Sequence, residues 1–346
     1  MLREQCRISV ATPAQNPDPT NDVDWVFPDH EQGIVAAVEA GATCLWANTI
    51  LFKDHPLQTS SALVPYQDKV RVVGQPPLFV DAYDDKNYVN SMLRQRGGFT
   101  LPKSSIVSQQ DDLEASLARD NISFWPVVAK PIRGRGSHGV KLCSSRQELR
   151  DHADRLFSES PSIMIEEYLS GQEATVTVMP PSANRPDYWA MPAVVRFNHV
   201  DGIAPYNGVV AVTANSRVIS PKEASEDPAY EQLARECEAT ARLLQTKAPI
   251  RIDVRRFRDE KGSPFALFDV NMKPVRTPFK CQPRWPNADI LIEHDWTGKA
   301  RQRGSGEPYS VGRGRSWLGL SSAFGKHFAI GLLLEGPPDS KASLLI

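Results

Sequence analysis

The chain has 346 residues, 41% hydrophobic and 23% charged, a globular balance that at roughly 150 residues per domain gives two to three domains. A net charge of −1, from 40 Lys and Arg against 41 Asp and Glu, supplies no global field to recruit a nucleic acid or an anionic membrane surface. The 5 cysteines, odd in number and never spaced as CxxC, argue against a disulfide framework or a structural zinc site, and no stretch reaches the ~18 apolar residues of a membrane span. With no apolar signal core at the N-terminus, a soluble cytoplasmic protein with free thiols is expected.

Residues 7–11 (RISVA) and 43–52 (TCLWANTILF) read as strands, with a helix from GIVAAVEAG (33–41) between them. With a further apolar run at Leu78-Phe79-Val80, residues 1–82 resemble a small open α/β layer in which 12–30 and 53–68 are connectors. Asp85 then opens a helix, DKNYVNSMLRQRGG, that places Lys86 in its first turn and stops at Gly97-Gly98. FWPVVAKPIRGRGSHGVKLC (124–143) reads as strand, glycine-rich loop, strand, and Ser145 with Glu148 forms a capping box for a helix to about residue 158. IMIEEYLSGQEATVTVMP (163–180) is a strand, a turn at Ser170-Gly171 and an alternating strand; 188–195 and 208–214 add two more. Asp227-Pro228 starts the strongest helix, with Tyr230, Leu233, Cys237, Ala241 and Leu244 on its core face. Residues 250–258 and 265–271 alternate about a turn at Lys261-Gly262 and predict a β-hairpin. From 275 to 346 the chain is dense in Pro, Gly and Arg and predicts an irregular tail, in which 321–336 offers a short helix.

Three features carry chemistry. In the hairpin, Arg251 and Asp253 share one face, as do Asp269 and Asn271, and a turn near residue 261 sets Asp253 opposite or diagonal to Asp269. Two facing carboxylates repel unless a cation neutralises them, and Asp, Asp and an Asn carbonyl are hard oxygen ligands of the kind Mg²⁺ takes. A solvated hairpin face explains the same spacing equally well. The second feature is GRGSHG, in which Gly134, Gly136, Ser137 and Gly139 let the backbone approach a phosphate beside Lys130; a plain surface turn is at least as good a reading. It lacks the GK[ST] of a Walker loop, and no helix begins at its end as a Rossmann fingerprint requires. The third is IEEYLSGQE (165–173), an acidic strand end able to take a nucleotide base on its backbone and a ribose on a carboxylate, or simply an exposed acidic turn.

These elements follow one order: helix-borne lysine, strand-end lysine, glycine-rich loop, acidic strand end, Arg-x-Asp and Asp-x-Asn hairpin. Over roughly residues 80–274 that order resembles the ATP-grasp superfamily, closest to the carboxylate-amine ligase branch that includes D-alanine-D-alanine ligase. The resemblance implies an α+β fold: an N-terminal α/β domain (1–82), then an ATP-grasp domain (83–274) whose small lobe (83–165) and central lobe (166–274) clasp ATP, then the tail (275–346). It further implies that Lys86, Lys130 and the loop of Gly134, Gly136, Ser137 and Gly139 contact ATP phosphates. Glu166, Tyr168 and Leu169 would line the adenine site, and Glu173 would hold the ribose. Asp253, Asp269 and Asn271 would hold Mg²⁺, and Arg251 would act catalytically on the transferred phosphoryl group. The implied reaction joins a carboxylate to an amine, amino acids in particular, through an acyl-phosphate with release of ADP and phosphate. It involves no nucleic acid or membrane and allows a homodimer. Asp269 stands where the family usually has Glu, and the N-terminal layer lacks the HGxxGEDG and SxEH elements of D-alanine-D-alanine ligases. The alternative is a non-catalytic nucleotide-binding protein whose altered tail leaves no acceptor pocket.

Overall fold

The computed structural model describes residues 9–18, 20–47, 50–134, 137–182, 185–199, 202–203, 215–272 and 328–333. They divide into two units, one of residues up to 77 together with the strand Phe328–Leu333, the other from 78 through 272.

In the first unit, β1 (Ser9–Ala11), β2 (Phe27–Pro28), β3 (Cys44–Ala47) and β4 (Arg71–Val73) form a sheet with the strand Phe328–Leu333. That strand runs antiparallel to β1 and β2 on one side and to β3 on the other, while β3 and β4 are parallel. Helix α1 (Glu31–Glu39) begins at His30, whose Nδ1 accepts the Gly33 amide, and buries Ile34 and Ala37 against Ala11, Phe27, Leu45 and Leu63. A Cβ on Gly33 would lie 2.1 Å from the Pro28 carbonyl oxygen, so only glycine lets the helix start pass over β2. Helix α2 (Pro56–Thr59) lies in the connector before β4.

Two expectations are corrected. The tail segment is a strand at 328–333, because Ala329 to Leu332 complete a ladder with β3 that no local periodicity announces. Leu78-Phe79-Val80 is the middle of helix α3 (Pro77–Tyr83), in the second unit; Pro77 presets its first turn, and the layer's strand is Arg71–Val73 instead.

The second unit carries two sheets. Helix α4 (Lys86–Arg96) is capped by Asp85, whose carboxylate accepts the Tyr88 amide at 2.9 Å. Strand β5 (Ser104–Ser108), helix α5 (Leu113–Arg119), strands β6 (Val127–Pro131) and β7 (Lys141–Cys143), helix α6 (Arg146–Phe157) and strand β8 (Ser162–Glu167) follow; the strands form an antiparallel sheet in the order β5-β8-β6-β7. Period-two alternation sends Val127, Ala129, Ile163 and Ile165 to one face, where Leu117, Leu149, Ala153 and Leu156 of α5 and α6 close a core. Ser145 caps α6 through the Glu148 amide, while the Glu148 carboxylate returns to the Ser144 amide rather than to Ser145.

After β8 the chain changes sheet. Strands β9 (Glu173–Met179), β10 (Trp189–Ala190), β11 (Val194–Arg196) and β12 (Ser216–Val218), helices α7 (Pro221–Glu226) and α8 (Pro228–Leu243), and strands β13 (Ile250–Arg256) and β14 (Phe265–Asn271) build the second sheet. Its order is β12-β11-β9-β13-β14, with β10 paired to β9. The strand expected at 208–214 lies outside the described residues. Asp227 caps α8 ahead of Pro228, and the buried side chains of α8 include Tyr230, Leu233, Cys237 and Ala241 of the expected stripe.

Candidate functional site

Strand register builds one polar face on the second sheet. Arg251, Asp253 and Arg255 project to the same side of β13 and stand opposite Thr177, Thr175 and Glu173 of β9. Glu173 in turn stands opposite Arg196 of β11. On the other edge Arg251 faces Asn271 and Asp253 faces Asp269, so the two carboxylates meet directly across the hairpin. Between these pairs and the turn the register shifts and Phe268 is left over as a bulge; its freed carbonyl accepts the Lys130 ammonium at 3.1 Å.

Cations answer the carboxylates. Arg251 donates to both Asp253 oxygens, Nε to Oδ1 at 2.9 Å and a terminal nitrogen to Oδ2 at 2.8 Å, a bidentate pair in which both side chains are buried. The Asn271 amide nitrogen lies 3.2 Å from Asp253 Oδ2 and 3.4 Å from Asp269 Oδ2. Lys86 reaches Asp269 at 3.4 Å and donates to the Gly134 carbonyl at 3.2 Å, tying α4 to both the glycine-rich loop and the hairpin. Burial raises the Asp269 carboxyl, but the charges of Lys86, Lys130 and Arg251 outweigh it and hold the group below its ordinary value.

Lys130 and Glu166 project from one face of the first sheet, diagonal neighbours on β6 and β8, and pair at 2.5 Å. Both are buried, and Asn90 of α4 donates to the other Glu166 oxygen at 3.4 Å. The structure thus places Glu166 with the strand-end lysine Lys130. Gly134 passes close to Pro131, where a Cβ would lie 2.9 Å from its ring; Ser137 has φ 59° and Gly139 φ 69°, and the Gly139 carbonyl bonds the His152 ring at 2.9 Å. Gly136 lies outside the described residues.

Tyr168 and Leu169 lie in the segment that crosses between sheets, Leu169 buried and Tyr168 half-buried. Glu173 follows and bonds the His199 ring at 2.9 Å, with Arg196 at 3.9 Å and Arg255 at 3.7 Å. Sequence reasoning gave no role to Arg196, His199 or Arg255. The alternation that singled out Arg251 and Asp253 also puts Arg255 on their face, so it had a signal; Arg196 and His199 had none, because only the β9–β11 pairing brings them to Glu173.

Among the described residues no cluster of three or more His, Cys, Asp or Glu forms a metal cage, and no helix is long and apolar enough to cross a membrane. The candidate cation set is therefore two carboxylates and one amide on adjacent strands, a partial shell of hard donors that water and phosphate oxygens would complete.

A family model described as D-ala D-ala ligase C-terminus matches residues 95–289, which include the described site residues from Lys130 to Asn271 and exclude Lys86. The D-alanine--D-alanine ligase of Gloeobacter violaceus is 28% identical over 158 residues, 44% of this chain and 46% of that protein. The Aquifex aeolicus enzyme of the same name is 27% identical over 95 residues, 28% of this chain and 31% of that protein. The chain therefore spans about half or less of the length of these curated relatives. Among solved structures, the D-alanine-D-alanine ligase from Coxiella burnetii aligns with a TM-score of 0.48 at 14% identity, covering 66% of this chain and 58% of that one.

Proposed function

The chain belongs to the D-ala D-ala ligase C-terminus family, and from that premise we propose that it is an ATP-dependent carboxylate–amine ligase, forming an amide through an acyl-phosphate with release of ADP and phosphate. The observation that carries this reading is the meeting of Lys86, Lys130 and Arg251 with Asp253, Asp269 and Asn271 between two sheets. Such a set neutralises and positions phosphate oxygens, which is most of what phosphoryl transfer asks of a protein.

The donor set fits Mg²⁺. Asp253 and Asp269 supply hard oxygens that repel one another without a cation, and Asn271 contributes an amide oxygen once its side chain turns to point Oδ1 inward. Mg²⁺, when bound, offsets phosphate charge. Arg251, which holds Asp253, would also stabilise charge on the transferred phosphoryl group. Lys86 joins the glycine-rich loop to the hairpin through the Gly134 carbonyl, and Glu166 holds the Lys130 ammonium in position. Tyr168 and Leu169 would face the base and Glu173 the ribose. The relatives' names make D-alanine the first amino acid to supply as both acid and amine.

The test is product analysis with MgATP and amino acids, D-alanine included. ADP and phosphate appearing only with the amino acids are expected, and AMP would overturn the reading. Lys130 is a poor probe, since removing one partner of a buried pair costs about 3–5 kcal/mol in stability. Asp269, whose side chain is 22% exposed, is the better one: Asp269→Asn is expected to keep the fold and lose at least about a hundredfold in turnover.

A further inference from the structure

The Arg255 guanidinium is held by three acceptors from two stretches of chain. Nε donates to the Gly171 carbonyl at 3.0 Å, one terminal nitrogen donates to the Gly202 carbonyl at 2.6 Å, and the other donates to the Tyr168 hydroxyl at 3.1 Å. Its central carbon lies 5.0 Å from the centre of the Tyr168 ring, adding a cation–π attraction. The first terminal nitrogen also stands 3.7 Å from Glu173. Gly202 has φ +75°, and a Cβ there would lie 3.0 Å from the Tyr168 hydroxyl, so a glycine is what lets its carbonyl come in over Tyr168.

A planar fork with five fixed N–H groups suits this arrangement, and an ammonium on a flexible stem does not. Arg255 is two residues beyond Asp253 on the same face of β13. One side chain therefore links the strand that carries the candidate cation ligands to the crossing segment that carries Tyr168, and to the carboxylate of Glu173. We propose that Arg255 is a positioning residue for the base and ribose end of the nucleotide: it fixes Tyr168, the Gly171–Gly202 gap and Glu173 against β13. The inference rests on the nucleotide reading above, with Tyr168 at the base and Glu173 at the ribose.

A positioning role at that end separates binding from chemistry. Arg255→Met and Arg255→Lys are expected to weaken ATP binding about tenfold, equivalent to about 1.4 kcal/mol, and to raise the KM for ATP in step. Turnover at saturating ATP and the Mg²⁺ concentration for half-maximal rate are expected to stay within about threefold of wild type, because Asp253, Asp269 and Asn271 keep their own partners. Tyr168→Phe, which removes one hydroxyl and keeps the ring, is expected to move ATP binding the same way by a smaller factor. Binding is read by calorimetric titration of the full chain with ATP, alongside the urea midpoint of each variant. Wild type that binds no ATP would overturn the nucleotide reading itself. Wild-type binding with Arg255→Lys and Tyr168→Phe unchanged would overturn the Arg255 proposal alone, as would full rescue by lysine or a fall in turnover with KM unmoved. Should Arg255→Met fail to fold, the lysine and phenylalanine variants decide.

Discussion

Asp269 sits among Lys86, Lys130 and Arg251, and opposing effects act on its carboxyl. Burial alone would raise it; the three cations win and lower it. A carboxylate lowered in the folded state adds stability that is present above its unfolded value of about 3.9 and is lost as pH falls through the folded value, so the contribution of wild-type Asp269 outlasts that of an ordinary carboxylate as the pH falls. Lys86 is the first of the cations in effect and touches Asp269 at 3.4 Å. Lys86→Met should therefore raise the Asp269 carboxyl, with each unit regained worth about 1.4 kcal/mol of attraction, and acid loss of stability should begin at higher pH. A ¹³C-carboxyl NMR titration reads this directly; an unmoved Asp269 resonance would show that Lys130 and Arg251 suffice. At this scale strand alternation made Asp253, Asp269 and Asn271 legible. The Lys130–Glu166 pair was not, because diagonal neighbours on β6 and β8 depend on a register that the sequence of neither strand states.

At the scale of elements, the crossing between sheets is the least forgiving piece of backbone. The Gly171 amide donates to the Arg256 carbonyl at 3.0 Å, and the Arg256 amide donates to the Gln172 carbonyl at 3.0 Å, so the segment is pinned to β13 from both directions. A Cβ on Gly171 would lie 2.2 Å from the Arg258 carbonyl oxygen, and a carbonyl inside a hairpin cannot rotate away as a side chain can. On the far face of β13, Arg256 pairs with Asp227 at 2.7 Å and lies 4.1 Å from the Phe265 ring centre, which leaves the hairpin little slack. Gly171→Ala should cost about 3 kcal/mol, the upper end for overpacking, seen as a lower urea midpoint with an unchanged slope. An alanine variant that unfolds at the wild-type midpoint would mean that the segment yields. The sequence marked Ser170-Gly171 as a turn but left open which sheet the next strand joins, since a polar turn between two β-forming runs serves a hairpin and a crossing alike. Asp227-Pro228 was legible because a cap and a first-turn proline are local instructions, whereas three apolar residues at 78–80 fit a strand or a helix equally.

The two units of the chain differ in how local their instructions are. The 78–272 unit closes both its sheets from strands within its own span, and its hairpin and the helices that start at Asp85, Ser145 and Asp227 could be read in order. The other unit takes the strand between β1 and β3 from residues 328–333, and a pairing of that sequence separation leaves no periodic trace. Removing it has a calculable consequence. A layer of under about 80 residues draws only about 3–5 kcal/mol from its core, and loss of the shared strand strips β1 and β2 of their partner and leaves β3 with β4 alone. A chain ending at residue 327 should therefore lose amide protection in β1 and β3 and admit trypsin between residues 9 and 73. The β9, β13 and β14 amides, whose ladders lie within their own sheet, should exchange as in the full chain. Hydrogen exchange with mass spectrometry separates the cases: protection retained at Cys44–Ala47 in the shortened chain would show that β3 and β4 hold without the strand at 328–333.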